Sequence, residues 1–405
     1  MKIGILGGGQ LAKMLVEGGE LLIKEGHDFT LSAFCQSPLE PVCSVLKNRT
    51  TIGEISKTDQ KLADFLNSQD VILFESEFIK TEVLKEIPTK AHFFPKLEAM
   101  KFFRSKWEQK KIFKKLEIPS SEAALLKEKM SEEEFSQVLL KVLSKESMVL
   151  KWAEYGYDGK GTFFLNQNEK EKLGTAYAFY QEGAKKGAAT YYEEKVNFQK
   201  ELAMIYVASQ KKISAHFPLV WTIQKNGICH KVLGPVENFG ISKTLEKEAL
   251  TIGGKLASDG LIEGVFAIEF FLTENGKLYV NEVAPRVHNS GHYTQDGSTH
   301  SQFQAHILSA LQKPINTKSK AKIFAMLNFI GNQDFPSPKA PEFFQTPKAH
   351  QNFHWYEKKE NKKGRKMAHI NFSWNEAVSL EKIMEEMDSV EKLWENWQLS
   401  ANNEK

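Results

Sequence analysis

Residues 265–292, VFAIEFFLTENGKLYVNEVAPRVHNSGH, decide how this chain is read. Two runs rich in β-branched and aromatic side chains flank Thr273-Glu274-Asn275-Gly276. Asn-Gly between such runs signals a β-hairpin with a two-residue type I′ turn. With Asn275 and Gly276 at the turn, Glu274 pairs with Lys277, and counting back along both strands sets Glu269 opposite Glu282, their Cβ atoms about 5 Å apart. Facing like charges among Phe and Val are unfavourable unless one is protonated or a cation lies between them. Oxygen-only ligands at this spacing suit Mg²⁺, held through one or two carboxylates plus substrate phosphates. The second strand then empties into a loop carrying Arg286, His288, Asn289, Ser290 and His292. The plainer alternative is an edge hairpin with both glutamates in solvent.

Working outward, 405 residues call for two to four domains, because single cores rarely exceed about 250–300 residues. The 41% hydrophobic residues, with 28 Phe, supply enough apolar volume for sizeable cores. A net charge of +3, from 54 basic and 51 acidic residues, argues against nucleic acid or a membrane surface as a partner. Cys35, Cys43 and Cys229 lack paired metal-site spacing and read as reduced thiols of a cytoplasmic protein. The first residues enter a strand directly, without a leader pattern, and no apolar run reaches about 18 residues.

The N-terminal part reads as strand 2–6, glycine turn 7–9, helix 10–24 and strand 29–34. Strand 70–74 follows and ends in Glu75-Ser76-Glu77. This predicts a βαβ parallel-sheet domain over 1–95. Residues 96–116 form a basic helix with a packed side at Phe102, Trp107 and Phe113. Strand 148–152 carries Lys151 and precedes Gly156-Tyr157-Asp158-Gly159-Lys160-Gly161, whose glycines let backbone approach a phosphate. A long helix up to about 186, strands 190–194, 201–208, 213–221 and 228–233, and a helix over 243–258 lead to the hairpin; a helix over 299–311 follows it. Residues 96–312 therefore read as one mixed α+β unit. A third domain, 313–405, has strands over 321–330 and 367–372, a helix over 376–387 and a frayed end from 398.

Gly7-Gly8-Gly9-Gln10-Leu11-Ala12 fits the dinucleotide pattern G-x-G-x-x-A. That reading needs an acid at the end of the second strand, where Ala33-Phe34-Cys35-Gln36 stands instead. An anion site at the helix N-terminus, close to a ligand, is the preferred reading over a purely structural turn.

Taken together, GGGQL at 7–11, FESE at 74–77, GYDGKG at 156–161, EEKVNFQKE at 193–201 and NEVAPRVHNSGHYT at 281–294 resemble the ATP-grasp enzymes. Within them the chain is similar to the 5-(carboxyamino)imidazole ribonucleotide synthetases, and GRKMAHI at 364–370 resembles that family's C-terminal loop. The implied fold is an ATP-grasp fold, α/β and α+β, with an N-terminal βαβ domain and a small C-terminal β-rich domain. The implied activity is ATP- and bicarbonate-dependent carboxylation of 5-aminoimidazole ribonucleotide through carboxyphosphate, in a cytoplasmic homodimer of purine biosynthesis.

By position, the resemblance implies that Lys110 and Lys151 hold the nucleotide phosphates beneath a lid formed by Gly156, Tyr157, Asp158, Gly159, Lys160 and Gly161. Glu193, Glu194, Lys195 and Val196 read the adenine edge, Glu201 the ribose, and Lys106 and Gln224 complete the nucleotide site. Mg²⁺, with Mn²⁺ as a substitute, falls to Glu269 and Glu282. Asn281 is counted beside them, although strict strand alternation points it to the other face; a bulge would resolve that tension. Arg286, His288, Asn289 and Lys160 are the catalytic candidates, with His288 either the base or a neutral group that orients oxygen. Gly9, Gln10, Glu75, Tyr157, Asp158, Lys358 and Arg365 are assigned to the ribonucleotide. The sequence departs from the family at Lys106 and Gln224, where Arg and His are usual, and at Lys362, Lys363 and Ala368. The rivals are a formate-using glycinamide ribonucleotide transformylase, an inactive ATP-grasp binding protein and a dehydrogenase.

Overall fold

The computed structural model describes residues 1–156, 159–336 and 338–403. Its N-terminal sheet is parallel, with strand order Thr50–Ile52, Thr30–Cys35, Lys2–Leu6, Val71–Phe74 and His92–Phe94. The near-continuous burial of Ile3, Ile5, Leu73 and Phe74 is what a parallel sheet covered on both faces requires. The helix Gln10–Lys24 covers one face and meets the helix Gln302–Ala310, so Met14, Leu15, Phe303 and Ile307 share one core. That shared core locks the N-terminal unit to the middle of the chain.

An antiparallel sheet of nine strands runs, in order, through Leu278–Ala284, Gly264–Thr273, Phe198–Ser209, Val220–Lys225, Ile228–Gly234, Ile323–Ile330, Lys366–Trp374 and Gln351–Trp355, with Lys212–His216 paired beside Phe198–Ser209. It crosses residue 313 without a break, because Ile323–Ile330 bonds to Ile228–Gly234. Its other face carries the helix Thr244–Ser258, and Tyr206 stacks on Phe266 at 4.9 Å between them. A separate four-stranded sheet, Ala123–Leu125, Thr190–Glu194, Met148–Trp152 and Thr162–Leu165, stands across a cleft from the hairpin. The basic stretch 96–116 is two helices, Leu97–Arg104 and Lys106–Lys115, broken where the Ser105 hydroxyl caps the Glu108 N–H.

The hairpin forms, but its turn is not type I′. That type needs positive φ at both central residues, and only Gly276, at φ 76°, has it. Thr273 N–H bonds the Lys277 carbonyl at 3.0 Å and Gly276 N–H bonds Thr273 at 2.9 Å, which encloses three residues. Pairs Leu272↔Leu278 and Phe270↔Val280 therefore lie one residue out of the predicted register. The register then shifts between Glu269 and Phe270, and Glu269↔Glu282 results. Asn281 is the additional residue, a bulge of the kind that re-aims side chains at sheet rims. Two departures from the simple hairpin cancel, and the acids face one another.

The C-terminal helix runs over Leu380–Asn403, so the expected helix end near 387 and frayed tail from 398 are corrected. Trp394 donates its indole N–H to the Ile330 carbonyl at 2.9 Å, and the fully buried Gln398 accepts from Asn332 N–H at 2.8 Å. These contacts reach across 64 and 66 residues, beyond any local pattern.

Gly276→Ala is expected to lower stability in urea unfolding by about 1–2 kcal/mol, the left-handed penalty for an L-residue, since a Cβ there meets open space. Turnover should stay within about twofold, because the bulge lies closer to the acids than the turn. A loss of activity comparable to that of a Glu269 variant would contradict this.

Candidate active site

Glu282 sits at the bulge with its carboxylate on the Lys106 ammonium, and Glu269 faces it from the neighbouring strand. Burial, then Glu282 and Glu201, push the Glu269 carboxyl up to about 7 despite Lys106 and Lys366 nearby. With Lys106 on one acid only, the pair is short of positive charge, which is what a divalent cation supplies. A lysine already occupies the cation's side of Glu282, and both donors are oxygen. Among the described residues no group of three or more His, Cys, Asp or Glu is arranged for a metal. The remaining ligands would then come from phosphate and water, the usual Mg²⁺ pattern. The residues fit the ion.

Across the cleft, Lys151 and Lys110 converge on the buried Glu193 carboxylate at 2.5 and 2.7 Å. Ser121 donates to the same carboxylate at 2.9 Å and accepts from Lys110 at 2.7 Å. Burial alone would raise the Glu193 pKa, but Lys151 and Lys110 outweigh it and hold the carboxyl down to about 2. Lys151 also donates to Asn281 Oδ1 at 3.0 Å. The bulge therefore turns Asn281 and Glu282 toward the same cleft, as the strand-alternation problem required.

Below the hairpin, Arg286 grips the buried Glu77 carboxylate through Nε and through Nη2 at 2.8 Å, a planar two-point pair. His288 Nε2 lies 3.6 Å from Glu269, while its Nδ1 meets the Ser290 hydroxyl at 2.9 Å. Burial, with Arg286 and Lys366 nearby, depresses the His288 pKa to about 3. So low an affinity for a proton makes the imidazole a weak base, and the oxygen-orienting reading is favoured over the base. Asn289 presents a buried amide whose neighbour is the Cys229 thiol.

The glycine turn holds an anion, but it is the chain's own: Glu75 accepts from the Gly9 N–H at 2.7 Å. A Cβ on Gly9 would lie 2.2 Å from that carboxylate, which explains glycine there. This corrects the expectation that the turn is open to a ligand's anion. Burial raises the Glu75 pKa against backbone N–H groups and the nearby Lys358, so the C-terminal loop reaches this pocket. Lys358 donates to the Lys366 carbonyl at 2.7 Å, and Arg365 to Glu360 at 3.2 Å.

An ATP-grasp domain profile matches residues 111–303, a ribonucleotide synthetase preATP-grasp domain residues 1–104, and a phosphoribosylaminoimidazole carboxylase C-terminal domain residues 325–383. The N5-carboxyaminoimidazole ribonucleotide synthase of Synechococcus elongatus is 31% identical, over 97% of this chain and 95% of that protein. The chain belongs to the N5-carboxyaminoimidazole ribonucleotide synthase family. The Bacillus subtilis synthase is also 31% identical, over 91% and 90% of the two chains. The Aspergillus clavatus synthase, solved with ADP and 5-aminoimidazole ribonucleotide, superposes with a TM-score of 0.81 at 27% identity over 98% of both chains.

Of the synthase residues expected from sequence, the structure gathers Lys106, Lys110, Lys151, Glu193, Asn281, Glu282 and Glu269 around one cleft, with Arg286 and His288 at its base. A Cβ on Gly156 would lie 2.9 Å from the Lys160 carbonyl and 3.7 Å from the Lys106 side chain, while Gly159 and Gly161 both adopt positive φ. Lys160 is exposed beside them. Tyr157 and Asp158 lie outside the described residues. Glu201 bonds Gln224 across neighbouring strands. Glu194 is exposed at a strand end, Val196 lies in the connection before Phe198, and Lys195 turns to Asn166 at 3.0 Å. Glu77 was missed as a site residue although FESE was noted: both acids follow the end of strand Val71–Phe74, and a buried second acid there needs a cation.

Glu193→Gln should lower stability by about 3 kcal/mol at neutral pH, leaving two buried lysines without their carboxylate. A depressed pKa contributes stability above the unfolded value, near 4.5, and loses it as pH falls toward 2. The difference between wild type and variant in urea unfolding should therefore shrink over that window. A pH-independent difference would remove the ionised Glu193 from the account.

Proposed function

We propose that this synthase-family protein carboxylates the amino group of 5-aminoimidazole ribonucleotide with bicarbonate and ATP, giving N5-carboxyaminoimidazole ribonucleotide, ADP and phosphate. The observation that carries this is the facing of Glu269 and Glu282 across two paired strands, the second of which runs directly on to Arg286 and His288. One pair serves a metal–nucleotide, the other an anion, and chain connectivity keeps them adjacent. Lys110 and Lys151 take the nucleotide phosphates, exchanging one anionic partner, Glu193, for another. Glu193 to Val196 and Glu201 with Gln224 hold the adenosine, and the 156–161 segment closes over the phosphates.

A bicarbonate oxygen attacks the γ-phosphorus and the bond to ADP breaks, giving carboxyphosphate. Anion meets anion in that step, so positioned positive charge is the main catalytic requirement. Held by Glu269 and Glu282, Mg²⁺ or Mn²⁺ would screen the phosphoryl charge. Arg286, held in orientation by Glu77, faces the bicarbonate side, and His288 and Asn289 orient oxygen atoms. Carboxyphosphate then splits to CO₂ and phosphate inside a site closed to water. The ribonucleotide amine attacks CO₂ and loses one proton to give the carbamate. Gly9, Gln10, Glu75, Tyr157 and Asp158 line the ribonucleotide, with Lys358 and Arg365 on its phosphate. Family membership supports action on small molecules in the cytoplasm, as a homodimer; among the described residues no helix is long and apolar enough to cross a membrane.

Purified protein should release ADP only when Mg²⁺, bicarbonate and 5-aminoimidazole ribonucleotide are all present. Glu269→Gln or Glu282→Gln should lower turnover by at least about 10³-fold while the circular dichroism spectrum is kept. Equal turnover with formate and glycinamide ribonucleotide would overturn the substrate assignment, and a near-normal rate in either variant the metal assignment.

A further inference from the structure

The loop that presents Arg286 and His288 makes a short turn of its own, with the Gly291 N–H on the His288 carbonyl at 3.0 Å, and the fully buried Gln302 braces it from outside. The Gln302 Oε1 accepts from the His288 N–H at 2.8 Å, and its Nε2 donates to the His288 carbonyl at 2.6 Å. A single side-chain amide thus satisfies both polar groups of one residue, as a neighbouring strand would. The same Nε2 lies 3.2 Å from Nδ1 of the buried His292. A Cβ on Gly291 would fall 2.7 Å from Oε1, so the loop passes where only glycine leaves room for the amide.

Gln302 is itself held firmly. It opens the helix Gln302–Ala310, whose cap is the reciprocal pair of Ser301 and Gln304, and its own N–H bonds the Thr294 hydroxyl at 2.9 Å. Thr294 in turn donates to the Gly291 carbonyl at 2.6 Å. From the opposite side Asn371 donates to the His292 carbonyl at 3.0 Å and to Asp296 at 2.7 Å. The loop is clasped between a helix packed on the N-terminal unit and a strand of the C-terminal unit.

We propose that Gln302 is a positioning residue for the bicarbonate half of the reaction: its amide fixes the His288 peptide, and with it the angle at which the imidazole meets the reacting oxygens. The inference rests on the carboxylation reading, because it takes His288 to act on the bicarbonate side. Gln302→Met keeps the volume and removes both hydrogen bonds. In that variant kcat/KM for bicarbonate should fall roughly 10–100-fold, the range seen when a group that orients a functional side chain is lost. KM for ATP should stay within about twofold, since Lys110 and Lys151 are untouched.

A merely structural role would lower the melting temperature and the active fraction and leave both KM values alone. Histidine-labelled NMR supplies a readout besides activity: the His288 ring resonance, assigned by its absence from His288→Gln, should move in folded Gln302→Met. Wild-type kinetics with an unmoved resonance overturn the positioning role while leaving the carboxylation reading intact. ADP release by wild type without any bicarbonate dependence overturns the carboxylation reading, and this inference with it.

Discussion

Two carboxylates held face to face in a partly apolar cleft form the constraint on which the rest of the structure turns. Glu269 and Glu282 repel, and their partial burial, with 29% of each side chain exposed, weakens the screening of that repulsion by water. Folding tolerates this because Lys106 lies on one acid and the carboxyl of the other is pushed up to about 7, so that it is only about half ionised at neutrality. The arrangement stores an affinity for positive charge at the head of the loop that carries Arg286 and His288. A hairpin without the Asn281 bulge would set the acids one residue out of register and point Asn281 away from Lys151.

The same logic recurs at each anion-handling group. Lys110 and Lys151 hold Glu193, Arg286 holds Glu77, and the Gly9 N–H holds Glu75. Each pair keeps a buried charge or donor compensated before substrates arrive, since an unpaired one is far more destabilising. In the proposed reaction the nucleotide phosphates exchange with Glu193 at Lys110 and Lys151. The site is built in advance and loses little ordering entropy on binding, while net affinity is only the difference between two similar pairings.

The outline of the fold was legible because its signals are local. Short apolar runs and the glycine turn marked three strands of the N-terminal sheet, while the short edge strands Thr50–Ile52 and His92–Phe94 were missed, and Asn275-Gly276 marked the reversal. The convergence of Glu269 and Glu282 was legible too, although by a route that failed in detail: the loop holds three residues, and the bulge returns the register. Bulges answer to packing against neighbouring strands and leave little trace in a single chain. The helix to Asn403 was missed because Trp394 and Gln398 find their partners at 330 and 332, far off in sequence. Glu75 filling the glycine turn was missed for the same reason, since the two stretches meet only once the parallel sheet forms. The break at Ser105 is the exception, a serine cap present in the sequence and overlooked under a run of basic residues.

The account's central claim is tested most directly by anomalous diffraction from crystals of the protein grown with Mn²⁺ and ADP. The account predicts one Mn²⁺ bound by carboxylate oxygens of both Glu269 and Glu282 at about 2.0–2.3 Å, with the Lys106 ammonium displaced from Glu282. An ion bound elsewhere, with the Lys106–Glu282 pair intact, would contradict it.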